Sequence, residues 1–269
     1  MKQVFAVTNQ KGGVGKTTTS VNLSASLAAT KRRVLLVDMD PQGNATMGCG
    51  VDKHDLKLTT CDVLLGDAGM EDTVLKLDDW HFDLLPANAD LTVAEVKLTS
   101  MFGREYKLRK ALEGFRDNYE FVFIDCPPSL NMLTVNAMVA ADGVFIPMQC
   151  EYYALEGLSA LLNTVQDIKD SVNPDIEIAG MLRTMYDPRN NLARDVSEQL
   201  ESHFSDKVFN TIIPRNIRLA EAPSHGIPIL HYDRNSSGAK AYLALAGEVL
   251  RRNAGGSREE LTSGAEHHG

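Results

Sequence analysis

Two lysines near the start of the chain frame a glycine-rich stretch, Q-K-G-G-V-G-K-T-T-T, over residues 10–19. Lys16, with Gly15 before it and Thr17 and Thr18 after it, has the ending of the phosphate-binding pattern G-x-x-x-x-G-K-[ST]. That pattern needs a strand leading in and a helix leading out. The run QVFAVTN (3–9) supplies the strand, and TTTSVNLSASLAA (17–29) supplies the helix. Backbone N–H groups from Gly12, Gly13 and Val14 through Thr18 can then converge on phosphate oxygens at the positive end of the helix. The glycines permit close approach that a Cβ would block. Lys16 would neutralise β- and γ-phosphates, and the Thr17 hydroxyl would ligate Mg²⁺.

The first glycine of the general pattern falls on Gln10, and a lysine, Lys11, follows it. Within one loop Lys16 already holds the phosphates. Spacing alone leaves Lys11 two uses. It is a solvated surface lysine, or it reaches a second molecule's nucleotide and neutralises charge developing on the transferred phosphoryl group. Two aspartates add acidic chemistry. Asp40 ends RVLLVDMD (33–40) before a Pro-Gln-Gly turn, and Asp125 ends FVFID (121–125) before two prolines. Ligands bind at the carboxyl ends of strands in open α/β sheets. The same positions also suit turn caps, the ordinary use of Asp before Pro or Gly.

Several apolar runs must position these groups. QVFAVTN (3–9), RVLLVDMD (33–40), FDLLPA (82–87), FVFIDCP (121–127), GVFIPMQ (143–149), IEIAGMLRTM (176–185) and VFNTIIPR (208–215) read as strands. Many are near-continuous in Val, Ile, Leu and Phe, as in a parallel sheet covered on both faces. Helical patterns fill 16–29, 105–118, 132–142, 151–172, 191–204 and 239–252. The alternation predicts an α/β fold, a doubly wound and mostly parallel sheet with helices on both faces. Residues 41–80 read as irregular, punctuated by Gly43, Gly48, Gly50, Gly66 and Gly69. With no repeat and no Pro/Gly/Ser-rich linker, residues 1–253 are expected to form one domain. The polar stretch 254–269 is expected to be an unstructured tail.

The 269 residues carry a net charge of −9, so any nucleic-acid role must come from a local patch on an acidic body. Cys49, Cys61, Cys126 and Cys150 form no C-x-x-C pair and have no histidine at metal-ligand spacing. They read as small core residues in a reducing compartment. The N-terminus lacks a signal-peptide pattern, and no window approaches the length of an apolar membrane span. The expected location is the cytoplasm.

On these motifs the chain resembles the ParA/MinD family of ATPases, with KGGVGKTT (11–18) similar to its deviant Walker A loop. VDMDPQGNAT (37–46) resembles the family's second motif, and FIDCPPSL (123–130) its Walker B and switch region. EYYALEGL (151–158) and TIIPRNIRLAEAPSHGIPI (211–229) resemble the chromosomal, Soj-like ParA branch. The resemblance runs from about residue 2 to 252. It implies a P-loop ATPase using ATP and Mg²⁺, with weak intrinsic activity. Lys11 and Lys16 would act on the triphosphate, Asp40 would position the attacking water, and Asp125 would hold Mg²⁺ through water. Asp38 belongs to the same D-x-D-P-Q-G pattern, with a less direct role. Pro214 and Asn216 would contact adenine, although a strand-end turn explains Asn216 equally. Arg189, Arg215 and Arg218 would contact DNA without reading sequence. Their surroundings are not net basic, and a surface salt bridge is the competing use of each.

The resemblance therefore implies a partition ATPase. Its ATP-bound homodimer would bind non-specific DNA at the nucleoid, and a ParB-type partner would stimulate hydrolysis and release. The alternative is a MinD-like membrane-cycling ATPase that regulates cell-division placement. That branch carries a basic amphipathic C-terminal helix. Here AKAYLALAGEVLRRN (239–253) is followed by a polar, acidic stretch, so no stable membrane association is expected. An iron-protein-like electron-transfer role needs paired cluster cysteines, and Cys126 in D-C-P-P is wrongly spaced for one. Asp40 together with both lysines disfavours a non-hydrolysing scaffold. Ten residues precede Lys11, too few for the DNA-reading domain of larger plasmid ParA proteins, so operator binding is not expected.

Overall fold

In a computed structural model, which describes residues 3–263, seven strands form one sheet in the order β3-β4-β2-β5-β1-β6-β7. They are β1 (Gln3–Val7), β2 (Val34–Asp38), β3 (Leu75–Leu77), β4 (Phe82–Leu85), β5 (Phe121–Asp125), β6 (Gly143–Gln149) and β7 (Glu177–Thr184). Every pairing is parallel except that of the short edge strand β3 with β4. The helices are α1 (Lys16–Ala28), α2 (Asn44–Gly48), α3 (Thr60–Leu65), α4 (Met70–Thr73), α5 (Leu91–Leu98) and α6 (Lys107–Leu112). They continue as α7 (Met132–Ala140), α8 (Ala154–Ser171), α9 (Asn191–Phe204), α10 (Ile217–Glu221), α11 (Ile229–Tyr232) and α12 (Ser237–Ser263).

Every residue of β2 and β5 is buried, because the sheet is covered on both sides. The period of two divides the strand side chains between two cores. Val4, Ala6, Val122, Ile124, Val144 and Ile146 point to one core, closed by α3 to α9. Phe5, Val7, Leu36, Phe123 and Phe145 point to the other, closed by α1, α10, α11 and α12. In the second core Phe5 stacks on Phe123 at 5.6 Å, and Phe145 stacks on Phe209 at 4.7 Å. Each ring buries a large apolar area in a preferred offset geometry. β1 lies between β5 and β6, where the connections reverse direction, so the crevice at strand carboxyl ends opens over its exit.

The expected strand over 208–215 does not form. Only isolated bridges remain, Val208 with Met181 and Pro214 with Tyr186. Side chains share the segment's hydrogen bonds with β7, whose Met181 and Arg183 carbonyls accept from the N–H groups of Phe209 and Ile213. The Glu248 carboxylate accepts from the N–H groups of Asn210 and Thr211, both at 2.8 Å. Arg183 Nη2 donates to the Phe209 carbonyl at 2.8 Å. The expected helix over 105–118 is cut short at Leu112, and Gly114 turns the chain with φ +76°. Residues 41–80 are more ordered than their glycines suggest. They hold α2, α3, α4 and β3, and α3 starts in a Thr59–Asp62 capping box. α12 continues to Ser263, into the stretch expected as a tail, while residues 264–269 lie outside the described residues. Helical hydrogen bonds are local, so a helix can run on where apolar periodicity has ended.

Candidate functional site

β1 delivers the chain to the crevice, and Gly13 and Gly15 then adopt φ +73° and +87°. These left-handed angles are costly for residues with a Cβ, and Gly15 uses one to launch α1. The loop is pinned at both ends. Asn9 donates to the Pro147 carbonyl at 2.9 Å and accepts from the Lys11 N–H at 2.9 Å. Thr184 Oγ1 lies 2.7 Å from the Val14 carbonyl and 3.1 Å from that of Met148, tying the loop to β6 and β7. Asn9 and Thr184 escaped the sequence reading, because nothing in their local spacing announces a contact with the loop.

The two lysines take opposite environments. Lys16 is 7% exposed, and its Nζ curls back to donate to the Lys11 carbonyl at 3.1 Å. Burial pulls its pKa below the usual lysine range, against the opposing charge of Asp125. Lys11 keeps 45% of its side chain exposed and forms an ion pair with Glu151 of the same chain. Glu151 can reach it because α8 begins only at Ala154, leaving 151–153 as a turn.

Asp125, at the end of β5, accepts from Thr17 Oγ1 and from Ser20 Oγ, each at 2.8 Å. Complete burial pushes its pKa up, and the charge of Asp38 adds to the rise. A hydroxyl and a carboxylate meeting at the helix start are oxygen donors of the kind a hard divalent cation takes. A bound cation would also offset the cost of a charged carboxylate there. Asp38, paired in register with Asp125, accepts from Thr46 N at 2.9 Å and Thr46 Oγ1 at 2.7 Å. It also accepts from the Asp40 N–H at 3.1 Å. These bonds tie the β2 exit to α2. Asp40 is 8% exposed and accepts from the Gln42 N–H at 2.9 Å, so the turn-cap reading of this residue is realised. One carboxylate oxygen can serve that cap while the other serves a ligand.

A cleft of about 310 Å³ adjoins the loop, lined by Gly15, Thr18, Thr184, Met185, Pro214 and Asn216 among others. Its size and mixed lining suit a heterocyclic base. Asn216 caps α10, accepting from Leu219 N at 3.1 Å, and donates to Ser237 Oγ at 2.7 Å. Both ends of its amide are engaged within the protein, while the residue still forms part of the cleft wall.

Of the three arginines, two lie on neighbouring segments. The bridge between Tyr186 and Pro214 sets Asp187 beside Arg215, and Arg189 closes on Asp187. Arg218 stands apart in this respect, paired with Glu221 at 2.8 Å and Asp233 at 3.6 Å. All four cysteines are buried and free, and no metal-holding cluster of His, Cys, Asp and Glu occurs among the described residues. No helix among them is long and apolar enough to cross a membrane.

An AAA domain family model matches residues 2–178. The sporulation initiation inhibitor protein Soj of Bacillus subtilis is 53% identical over 93% of this chain and 98% of its own length. The chromosome partitioning protein ParA of Caulobacter vibrioides is 51% identical over 93% and 94%. The solved structure of cobyrinic acid a,c-diamide synthase from Mycobacterium smegmatis, with bound ATP analog and magnesium, aligns with a TM-score of 0.83. It is 39% identical, over 95% of this chain and 97% of that one. The deviant loop with its leading lysine, the sheet order around it and these relatives agree: the chain belongs to the ParA/MinD family of deviant Walker A ATPases.

Proposed function

We propose that this protein is a partition ATPase, which uses ATP to switch its affinity for DNA during segregation of a chromosome or plasmid. One observation carries the reading beyond nucleotide binding. Lys11 rests on Glu151 of its own chain while Lys16 alone closes the phosphate loop, so one protomer has a cation to spare for another. Gly12 to Thr18 would wrap the triphosphate and Lys16 would hold its β- and γ-phosphates. Thr17 and Asp125 would hold Mg²⁺, Asp125 through water. That ion, when bound, supplies charge neutralisation on the phosphates. Asp40 would orient the attacking water, and Pro214 with Asn216 would border the adenine. Lys11 would complete the site of a partner protomer, making the active form a homodimer.

The partition role is supported by the names of relatives near half identity, Soj and the chromosome partitioning protein ParA. Arg189 and Arg215 would offer the dimer a phosphate-binding, sequence-blind DNA face, with Arg218 beside it once its carboxylates yield. A ParB-type partner would stimulate hydrolysis and free the protein from the nucleoid. Co-sedimentation with DNA under ATP, ADP and no nucleotide tests this. Retention only with ATP is expected, and equal retention in all three conditions would remove the switch.

A further inference from the structure

Asp187 is the carboxylate that Arg189 grips, on a segment that runs beside the backbone of Arg215. Arg189 closes on it as a fork, Nε to Oδ1 at 2.9 Å and Nη2 to Oδ2 at 2.8 Å. The backbone places Arg215 alongside: Tyr186 N donates to the Ile213 carbonyl at 3.1 Å, and Arg215 N donates to the Tyr186 carbonyl at 3.3 Å. We propose that Asp187 stands in for a DNA phosphate, occupying Arg189 beside Arg215 until a phosphodiester takes its place. The assignment rests on the DNA reading above and adds to it the residue that sets how strongly, and when, the arginine face is offered.

The guanidinium fork fits a carboxylate and a phosphate by the same two parallel hydrogen bonds, so one can replace the other without rebuilding the loop. The Arg189 side chain is 88% exposed, and an exposed ion pair is weakly held against competitors. A polyanion competes well, because it also gains from releasing condensed counterions. The Arg189 hydrogen bonds hold the Asp187 carboxyl down to about 2, with a smaller contribution from the Arg215 charge. The counter-ion is therefore present at any pH where the protein would work.

The same segment leads back to the nucleotide cleft. Thr184 and Met185 form one wall of it, and Ile213 to Ile217 form the other. Met185 holds φ +49°, outside the range most side chains accept, with Gln149 Nε2 donating to its sulfur at 2.8 Å. Asp187 lies two residues beyond one wall, and Arg215 lies on the other. A base filling the cleft therefore bears on both chains that set the spacing between Asp187 and Arg215.

Asp187→Asn is the direct test. The amide keeps an oxygen for the Arg189 N–H, which Oδ1 accepts at 3.0 Å, but removes the charge. Fluorescence anisotropy with a labelled duplex should show binding about threefold to tenfold tighter with ATP, and a salt slope steeper by about one counterion. Binding with ADP should rise too, while ATP turnover without DNA stays unchanged. Asp187→Glu, which keeps the charge, should behave like the wild type, and adding Arg189→Ala should cancel the gain. Unchanged or weaker binding with the same slope in Asp187→Asn would reduce the residue to a turn former and overturn the proposal. A wild type that binds no duplex in any nucleotide state would instead sink the DNA reading. Inorganic polyphosphate then serves as the probe, and no tightening by Asp187→Asn there would end the counter-ion assignment as well.

Discussion

The phosphate loop and the arginine flank meet at the end of β7, yet they are built in opposite ways. The loop is a contiguous run whose chemistry lies in backbone angles, two glycines at positive φ and one buried lysine. The flank is held by Arg183 and Glu248, whose side chains reach the backbone of Phe209 and Asn210 from far along the sequence. A loop made from local conformation tolerates little change at a few positions. A flank made from many long-range contacts spreads its cost over distant ones. Thr184 sits between them, with its backbone in β7 and its hydroxyl on the loop.

The largest separation should come from the two lysines. Lys16→Ala removes a buried ammonium, worth on the order of 2–3 kcal/mol in charge-assisted bonds, so nucleotide affinity should fall by roughly a hundredfold. Lys11→Ala should leave affinity within about twofold while turnover and pairing fail. Isothermal titration with a non-hydrolysable ATP analog, beside steady-state turnover, reads both. Equal loss of affinity in the two variants would place Lys11 in its own loop and break the cross-protomer role.

This contrast also decides what the sequence could reveal. K-G-G-V-G-K-T carries strand exit, turn and helix start in consecutive residues, so its reading needed no tertiary information. The sheet was legible for a similar reason: FVFID and VLLVD are apolar throughout because both faces are covered. The stretch 208–215 has the same apolar look and failed as a strand. Its donors and acceptors are split between backbone bonds to β7 and the side chains of Glu248 and Arg183, partners that no local pattern announces. α5 and α10 were missed because each is short, and their ends are set by packing. Asn216 was readable as either a base contact or a cap, and its cap is made. Lys11 was readable as exposed or as reaching out, but its hold on Glu151 spans 140 residues and left no trace in spacing.

Next in size is Arg183→Met. Arg183 is 4% exposed and serves Ser197 Oγ at 2.7 Å, Glu201 and the Phe209 carbonyl. Methionine keeps the bulk but strands a buried carbonyl, at a cost of about 2 kcal/mol in urea unfolding. DNA retention should fall with it while nucleotide affinity stays near wild type. A matching fall in nucleotide affinity would show that flank and loop stand or fall together.

Thr184→Val probes the joint itself. The swap conserves shape and removes the hydroxyl that faces Val14 and Met148, for about 1 kcal/mol of stability. Because the hydroxyl pins the loop, nucleotide affinity should drop by roughly fivefold at the same time. A stability loss with unchanged affinity would mean that Asn9 and the glycine angles hold the loop unaided.

The smallest effect concerns the resting place of Lys11. Glu151 holds Lys11 in an exposed ion pair, and such pairs are worth about 0–1 kcal/mol. Glu151→Gln frees the amine without emptying the turn, so the cost of withdrawing Lys11 from its own chain disappears. ATP-dependent pairing, followed by sedimentation velocity, should therefore tighten by at most about fivefold, and more at low salt than at high. Nucleotide affinity of the single protomer should not move, because Glu151 touches Lys11 at its tip while the loop uses only the Lys11 backbone. Weaker pairing would give the opposite lesson. Glu151 would then travel with Lys11 into the dimer and hold it there, and the ion pair would be part of the assembled site rather than a rest position before it.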